Sequence, residues 1–139
     1  MIERYDPFDG ALGMALGTRS GSRVYTAGMV GICADGSVPE DLDAEVRQAF
    51  ANLKDILETF GASFEHVVEQ TTFVAPPLNE IYPVFQTVRN EIFRKDVPAS
   101  TSVGVAALLD PRFHIETKLV AELPDAAGPY SGTRGAPAL

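Results

Sequence analysis

Apolar positions recur at helical spacing in two stretches and at strand spacing in several others. Leu42, Val46, Ala49, Phe50, Leu53, Ile56, Leu57 and Phe60 fall on one helical stripe, the mark of an element laid against a core by one face. Glu45, Gln48, Asn52 and Asp55 make up its polar side and are expected to face outward. Ser37, with Glu40 three positions on and Pro39 between, offers one start for this helix. Asp41 offers another, and Gly61 supplies the stop. Ile81, Val84, Phe85, Val88 and Ile92 predict a second amphipathic helix with Asn79 as its cap. Pro83 is confined to the first turn of that helix, because further in it would remove a hydrogen bond and clash.

The segment 98–122 predicts two strands, 101–108 and 113–122, facing each other across a turn at 109–112. In the second, Phe113, Ile115 and Leu119 take one face while His114, Glu116 and Lys118 take the other. An imidazole, a carboxylate and an ammonium in a row are either a solvated face or the wall of a site, and periodicity does not separate the two. Residues 23–27 and 67–74 predict further strands. Residues 11–18 predict a short edge strand joined to 23–27 by a turn at 19–22, and residues 1–10 read as irregular. Gly28 and Gly31 suggest close backbone approach; a phosphate loop would need more glycines with a Lys and a Ser or Thr. The order strand, strand, helix, strand, helix, strand, strand predicts an α+β fold, a mixed sheet with two helices on one face. Two helices leave the other face bare, and a second copy of the chain is expected to cover it.

Length and charge narrow the function. With 139 residues the chain builds one domain, read as 1–123, followed by an irregular tail, 124–139, rich in Pro and Gly. The net charge is −8 with only 11 basic residues, none of them clustered, which argues against a nucleic-acid partner. No apolar run reaches membrane length and no leader pattern opens the chain, so a cytoplasmic protein without a membrane partner is expected. Cys33 is the single cysteine and reads as a small core residue. Two histidines and one cysteine without close spacing speak against a metal.

Several short runs together carry a resemblance: Val24-Tyr25-Thr26-Ala27-Gly28, Asp35-Gly36, Gln48-Ala49-Phe50-Ala51-Asn52-Leu53, Phe60-Gly61-Ala62-Ser63, Thr72-Phe73-Val74, Pro98-Ala99 and Ile115-Glu116. With these the chain resembles the RidA family, the YjgF-like reactive intermediate deaminases once described as L-PSP endoribonucleases. The resemblance implies a chorismate-mutase-like fold and a homotrimer whose sheets form a central barrel, with clefts between subunits. It also implies hydrolysis of imines or enamines to a keto acid and ammonia without cofactor or metal. The family holds the substrate carboxylate with an Arg in Pro-Ala-Arg and activates water with a Glu on the last strand. Carried over position by position, Glu116 matches the Glu, but Ser100 stands where the Arg would be. Phe85 falls near the family's Asn, Met14 near its Tyr, Ala27 at its Ser and Met29 at its Gln.

This chain is therefore expected to be a divergent member whose cleft keeps its acid, loses its anion clamp and is larger and more apolar. Desolvation there would raise the Glu116 pKa toward general acid–base use. His114 is a candidate proton-transfer partner, and Arg112 a candidate anion contact from another direction. Ser100, Phe85, Met14, Ala27 and Met29 are candidate lining residues. Three readings stay open: hydrolysis or tautomerisation of an imine, enamine or enol larger or more apolar than a 2-imino acid; a non-catalytic trimer binding a small molecule or protein; and 2-iminobutanoate or 2-iminopropanoate deamination with a relocated clamp. The ribonuclease reading is least attractive on charge. Tyr130, in Gly128-Pro129-Tyr130-Ser131, looks like a family segment out of place.

Overall fold

The computed structural model describes residues 1–124; the expected irregular tail, with Tyr130, lies outside the described residues from 125 onward. Along the chain come β1 (Ile2–Tyr5), β2 (Gly17–Ser20), β3 (Arg23–Thr26), α1 (Leu42–Thr59), β4 (Val67–Val74), α2 (Leu78–Phe93), β5 (Ala99–Gly104) and β6 (Ile115–Glu122), with a 3-10 turn at Phe64–His66. The strands form one six-stranded sheet in the order β1-β2-β3-β6-β4-β5. All neighbouring pairs are antiparallel except β4 and β5, which run parallel with α2 as their crossover. Both helices press on the sheet face that carries Val24, Val74, Ile115, Leu119 and Ala121. This is the expected α+β layering.

α1 starts at Asp41, whose side chain accepts from the Ala44 amide at 2.9 Å, and satisfies one orphan donor of the first turn. Ser37 is engaged elsewhere, donating to Asp35 Oδ1 from both its amide and its hydroxyl. Gly61, at φ 78°, turns the chain out of the helix. The apolar stripe read from the sequence is the buried one: Val46, Ala49, Leu53 and Leu57 are all fully buried. Phe50 is the hub of an aromatic cluster, stacked on Phe85 at 5.9 Å and edge-on to Phe64 and Phe93, each at 6.1 Å. Burial of one such side chain is worth about 1.5–3 kcal/mol.

Five expectations about the elements are corrected. Segments 101–108 and 113–122 do not face each other, because β4 lies between β5 and β6. The first of them is only Ala99–Gly104, and an irregular stretch follows it. Residues 1–10 are not all irregular. β1 pairs with β2 although its side chains are almost all exposed, so it is held by backbone bonds and leaves no periodic signal. The expected edge strand at 11–18 exists only from Gly17; before it, Asp6 accepts the amides of Phe8 and Gly10 and closes a turn. α2 begins at Leu78, with the Pro77 carbonyl accepting from Glu80 and Ile81, so Pro83 sits inside the helix rather than in its first turn.

Among the described residues no element covers the sheet face away from the helices. Tyr25 and Val103 there are 40% and 41% exposed, and Phe73, Lys118 and Val120 share the face by register.

Candidate functional site

Glu116 is the second residue of β6 and pairs with Phe73 of β4, which puts it on the uncovered face. Its side chain lies against the backbone of Gly28. A Cβ at Gly28 would stand 2.8 Å from Glu116 Oε2, well inside van der Waals contact. Gly31 has a similar neighbour in α1, where a Cβ would fall 2.3 Å from the Glu45 carbonyl oxygen. The close approach read from these two glycines therefore has two different partners. Asn52 binds the same loop to α1 by donating to the carbonyls of Val30 and Ile32, both at 2.9 Å.

His114 does not partner Glu116. Its amide donates to Glu45 Oε1 at 2.7 Å, and its Nδ1 lies 2.6 Å from Glu45 Oε2. Glu45 is 1% exposed, so its expected place on the outer face of α1 is corrected as well. The regular strand begins only at Ile115, and the alternation that would align His114 with Glu116 does not extend back to it. The pair anchors the start of β6 to α1, one residue before the catalytic candidate's own segment of strand. Arg112 is likewise spent locally. It forks onto Asp110 through Nε (3.1 Å to Oδ1) and Nη2 (3.0 Å to Oδ2) and donates to the Gly36 carbonyl at 3.2 Å. The guanidinium holds the Asp110 carboxyl below the usual carboxylate range. Arg112 braces a turn and is not free for an anion.

Of the expected apolar lining around Glu116, the core claims Phe85 and the Met29 side chain. Phe85 is fully buried in the core, because α2 turns it inward with Ile81 and Val88. Met29 exchanges backbone bonds with Thr117 at 2.8 and 3.0 Å, and its side chain packs against the core. Met14 is 46% exposed in the loop before β2. Ala27 is half-buried, and its amide donates to the Leu16 carbonyl at 2.8 Å.

Ser100 lies elsewhere, in a groove of about 780 Å³ between α2 and the edge strand β5. Tyr82, Arg89, Phe93, Arg94 and Ser102 also line it. Arg89 reaches over from α2 so that its Nη1 is 3.4 Å from Ser100 Oγ and 3.5 Å from Tyr82 Oη. Its guanidinium carbon lies 5.9 Å from the Tyr82 ring centroid and 5.6 Å from that of Phe85. A guanidinium therefore does stand beside Ser100, supplied by the helix and not by the strand. The pattern that could have shown it is the spacing of Tyr82, Phe85 and Arg89, which share one helical face. Among the described residues no three of His, Cys, Asp and Glu gather as metal ligands would.

Ser100 and Glu116 do not meet within one chain. Ser100 pairs with Gln70, and Gln70 pairs with Leu119, so all three point to the helix side; Glu116 points to the other.

The sequence profile described as Endoribonuclease L-PSP matches residues 14–123. The chain belongs to this family, the RidA/YjgF family. It is similar to the RutC family protein YjgH of Escherichia coli, with 36% identity over 108 residues, covering 77% of this chain and 80% of that protein. It is also similar to the 2-iminobutanoate/2-iminopropanoate deaminase of Salmonella typhimurium, with 35% identity over 107 residues, 72% of this chain and 80% of that one. The crystal structure of E. coli TdcF with bound serine superposes with a TM-score of 0.74 at 25% identity, covering 80% of this chain and 88% of that chain. Family membership accounts for the sheet order and the helices on one face. No helix among the described residues is long and apolar enough to cross a membrane.

Proposed function

We propose that this RidA/YjgF protein hydrolyses an imine, or the enamine that tautomerises to it, in a cleft built between two copies of the chain, with Glu116 as the group that moves protons. The observation that carries the reading is the opposed placement of the two best candidates. Glu116 lies on the bare sheet face and Ser100 lies in the α2–β5 groove. A second copy laid against the bare face would bring one chain's carboxylate toward another chain's groove and would cover the exposed Tyr25 and Val103. A homotrimer closes such a contact without leaving an edge free.

In the reaction the Glu116 carboxylate takes a proton from water as the water oxygen bonds to the imine carbon. The π pair goes to nitrogen, which is protonated. The resulting carbinolamine then collapses: Glu116 takes the hydroxyl proton and passes it to the amine, the C–N bond breaks, ammonia leaves and the carbonyl forms. One group serves first as base and then as acid. Relatives named as 2-iminobutanoate/2-iminopropanoate deaminases support this reaction class.

The test generates 2-aminoacrylate or 2-aminocrotonate with a pyridoxal-dependent dehydratase and follows ammonia release. The wild-type chain should accelerate release, Glu116→Gln should not, and light scattering should give three times the protomer mass. A monomer, or equal rates for both proteins, would defeat the proposal. Ser100 standing in place of the family's arginine favours a second reading, ligand binding without turnover; it predicts no acceleration by either protein.

A further inference from the structure

Arg89 is a half-buried charge with little to do. Among the described residues no carboxylate lies within ion-pair distance of it. Its two polar contacts, at 3.4 and 3.5 Å, are longer than ordinary hydrogen bonds, so most of its five donors are unspent. The guanidinium rests over the Tyr82 and Phe85 rings, which removes part of the ordering cost that a bound partner would otherwise incur. The chain carries 19 acidic residues against 11 basic ones, yet the groove is lined by Arg89 and Arg94 and by no acidic residue. On a protein of net charge −8 such a spot focuses anions. The other polar groups there suit an acceptor: the Ser100 hydroxyl, the Tyr82 hydroxyl, and Ser102, whose Oγ has no hydrogen-bond partner. The mouth is apolar, with Leu78 49% and Val97 70% exposed.

We infer that Arg89 is a carboxylate clamp, with Ser100 and Tyr82 beside it, and that the groove takes a small carboxylate with an aliphatic or aromatic body. A planar carboxylate matches the guanidinium fork in two parallel charge-assisted bonds. An apolar body then covers Leu78 and Val97 at the mouth. A sphere-like anion such as sulfate would use the charge but neither the plane nor the apolar wall. If the hydrolytic reading above holds, this makes the substrate an imino acid with a sizeable side chain. Ser100 would then be the residue that leaves room for an arginine arriving from α2. Binding itself does not depend on that reading.

The experiment is titration calorimetry of the full chain with phenylpyruvate, 2-oxobutanoate, and the matched pair benzoate and benzamide. Phenylpyruvate should bind more tightly than 2-oxobutanoate, and benzoate should bind where benzamide does not. Arg89→Gln should weaken phenylpyruvate binding by at least about tenfold. Arg89→Lys should fall between, because it keeps the charge and loses the fork. Ser100→Asp offers the guanidinium an internal carboxylate and should abolish binding with Arg89 still in place, which guards against misfolding of an Arg89 variant. Lys54→Gln, which removes an exposed charge of α1 outside the groove, should bind phenylpyruvate as the wild type does. Equal binding of benzoate and benzamide, or undiminished binding by both Arg89→Gln and Ser100→Asp, would overturn the clamp. Loss of ammonia release in Glu116→Gln with carboxylate binding insensitive to Arg89 would sink the clamp and leave the hydrolytic reading standing. Arg89-dependent binding with no turnover by any protein would do the reverse.

Discussion

His114→Ala is the sharpest probe of how the start of β6 is held. In the wild type, Glu45 Oε2 is met by His114 Nδ1 at 2.6 Å, while Oε1 takes the His114 amide at 2.7 Å. The substitution keeps the amide and removes the ring, so one oxygen of a carboxylate side chain that is 1% exposed loses its side-chain donor. A hydrogen bond to a charged group is worth about 1.5–3 kcal/mol. The ring itself is 42% exposed, so water can reach the space it leaves, and the lower part of that range applies: about 1.5–2 kcal/mol. For a chain of this size that is a fall in melting temperature of about 5–8 °C. His114→Asn places an amide N–H close to where Nδ1 stood and should recover more than half of the loss. The assay is urea or thermal unfolding followed by circular dichroism, with all proteins at one protomer concentration so that association contributes equally. A His114→Ala variant as stable as wild type, or an Asn variant no better than Ala, would refute the structural role. If ammonia release is observed, His114→Asn should retain most of it, whereas a proton-transfer role beside Glu116 would remove it.

Three other outcomes follow from the same geometry. Phe85→Ala empties a fully buried site stacked on Phe50 and should cost about 3–5 kcal/mol in denaturant unfolding; a ligand-lining Phe85 would cost far less. Gly28→Ala drives a methyl to within 2.8 Å of the Glu116 carboxylate, which can swing aside at little cost in stability. A displacement approaching 1 Å lowers turnover by up to about 100-fold, and unchanged turnover with unchanged melting would argue against Glu116 as the reacting group. The Ser22 hydroxyl, and after it Arg23, holds the Glu122 carboxyl below its ordinary range. Its small contribution to stability is therefore present at neutral pH and fades as pH falls through the depressed value. Ser22→Ala should raise the Glu122 titration midpoint in carbon-detected NMR, and no rise would break that assignment.

Several features were open to a reader of the chain alone. Both amphipathic stripes, the bounds of β4 and the tight approach at Gly28 and Gly31 were legible, because each depends on neighbours within a turn of helix or a few residues of strand. Glu116 on a face opposite Ile115 and Leu119 was legible for the same reason. Glu45 was not. A carboxylate on the polar side of a helix reads as solvated, and what allows its burial is a partner 69 residues away.

Periodicity along this chain settled which apolar side chains turn inward, since burial of alternate or every third-to-fourth position is a one-dimensional property. It could not settle which strands become neighbours. Only the folded sheet interposes β4 between β5 and β6 and so places Ser100 and Glu116 on opposite sides. Only the docking of α2 along the edge strand brings Arg89 to the Ser100 hydroxyl. Those choices come from long-range backbone pairing and from fitting aromatic volumes around Phe50, and neither leaves a local mark.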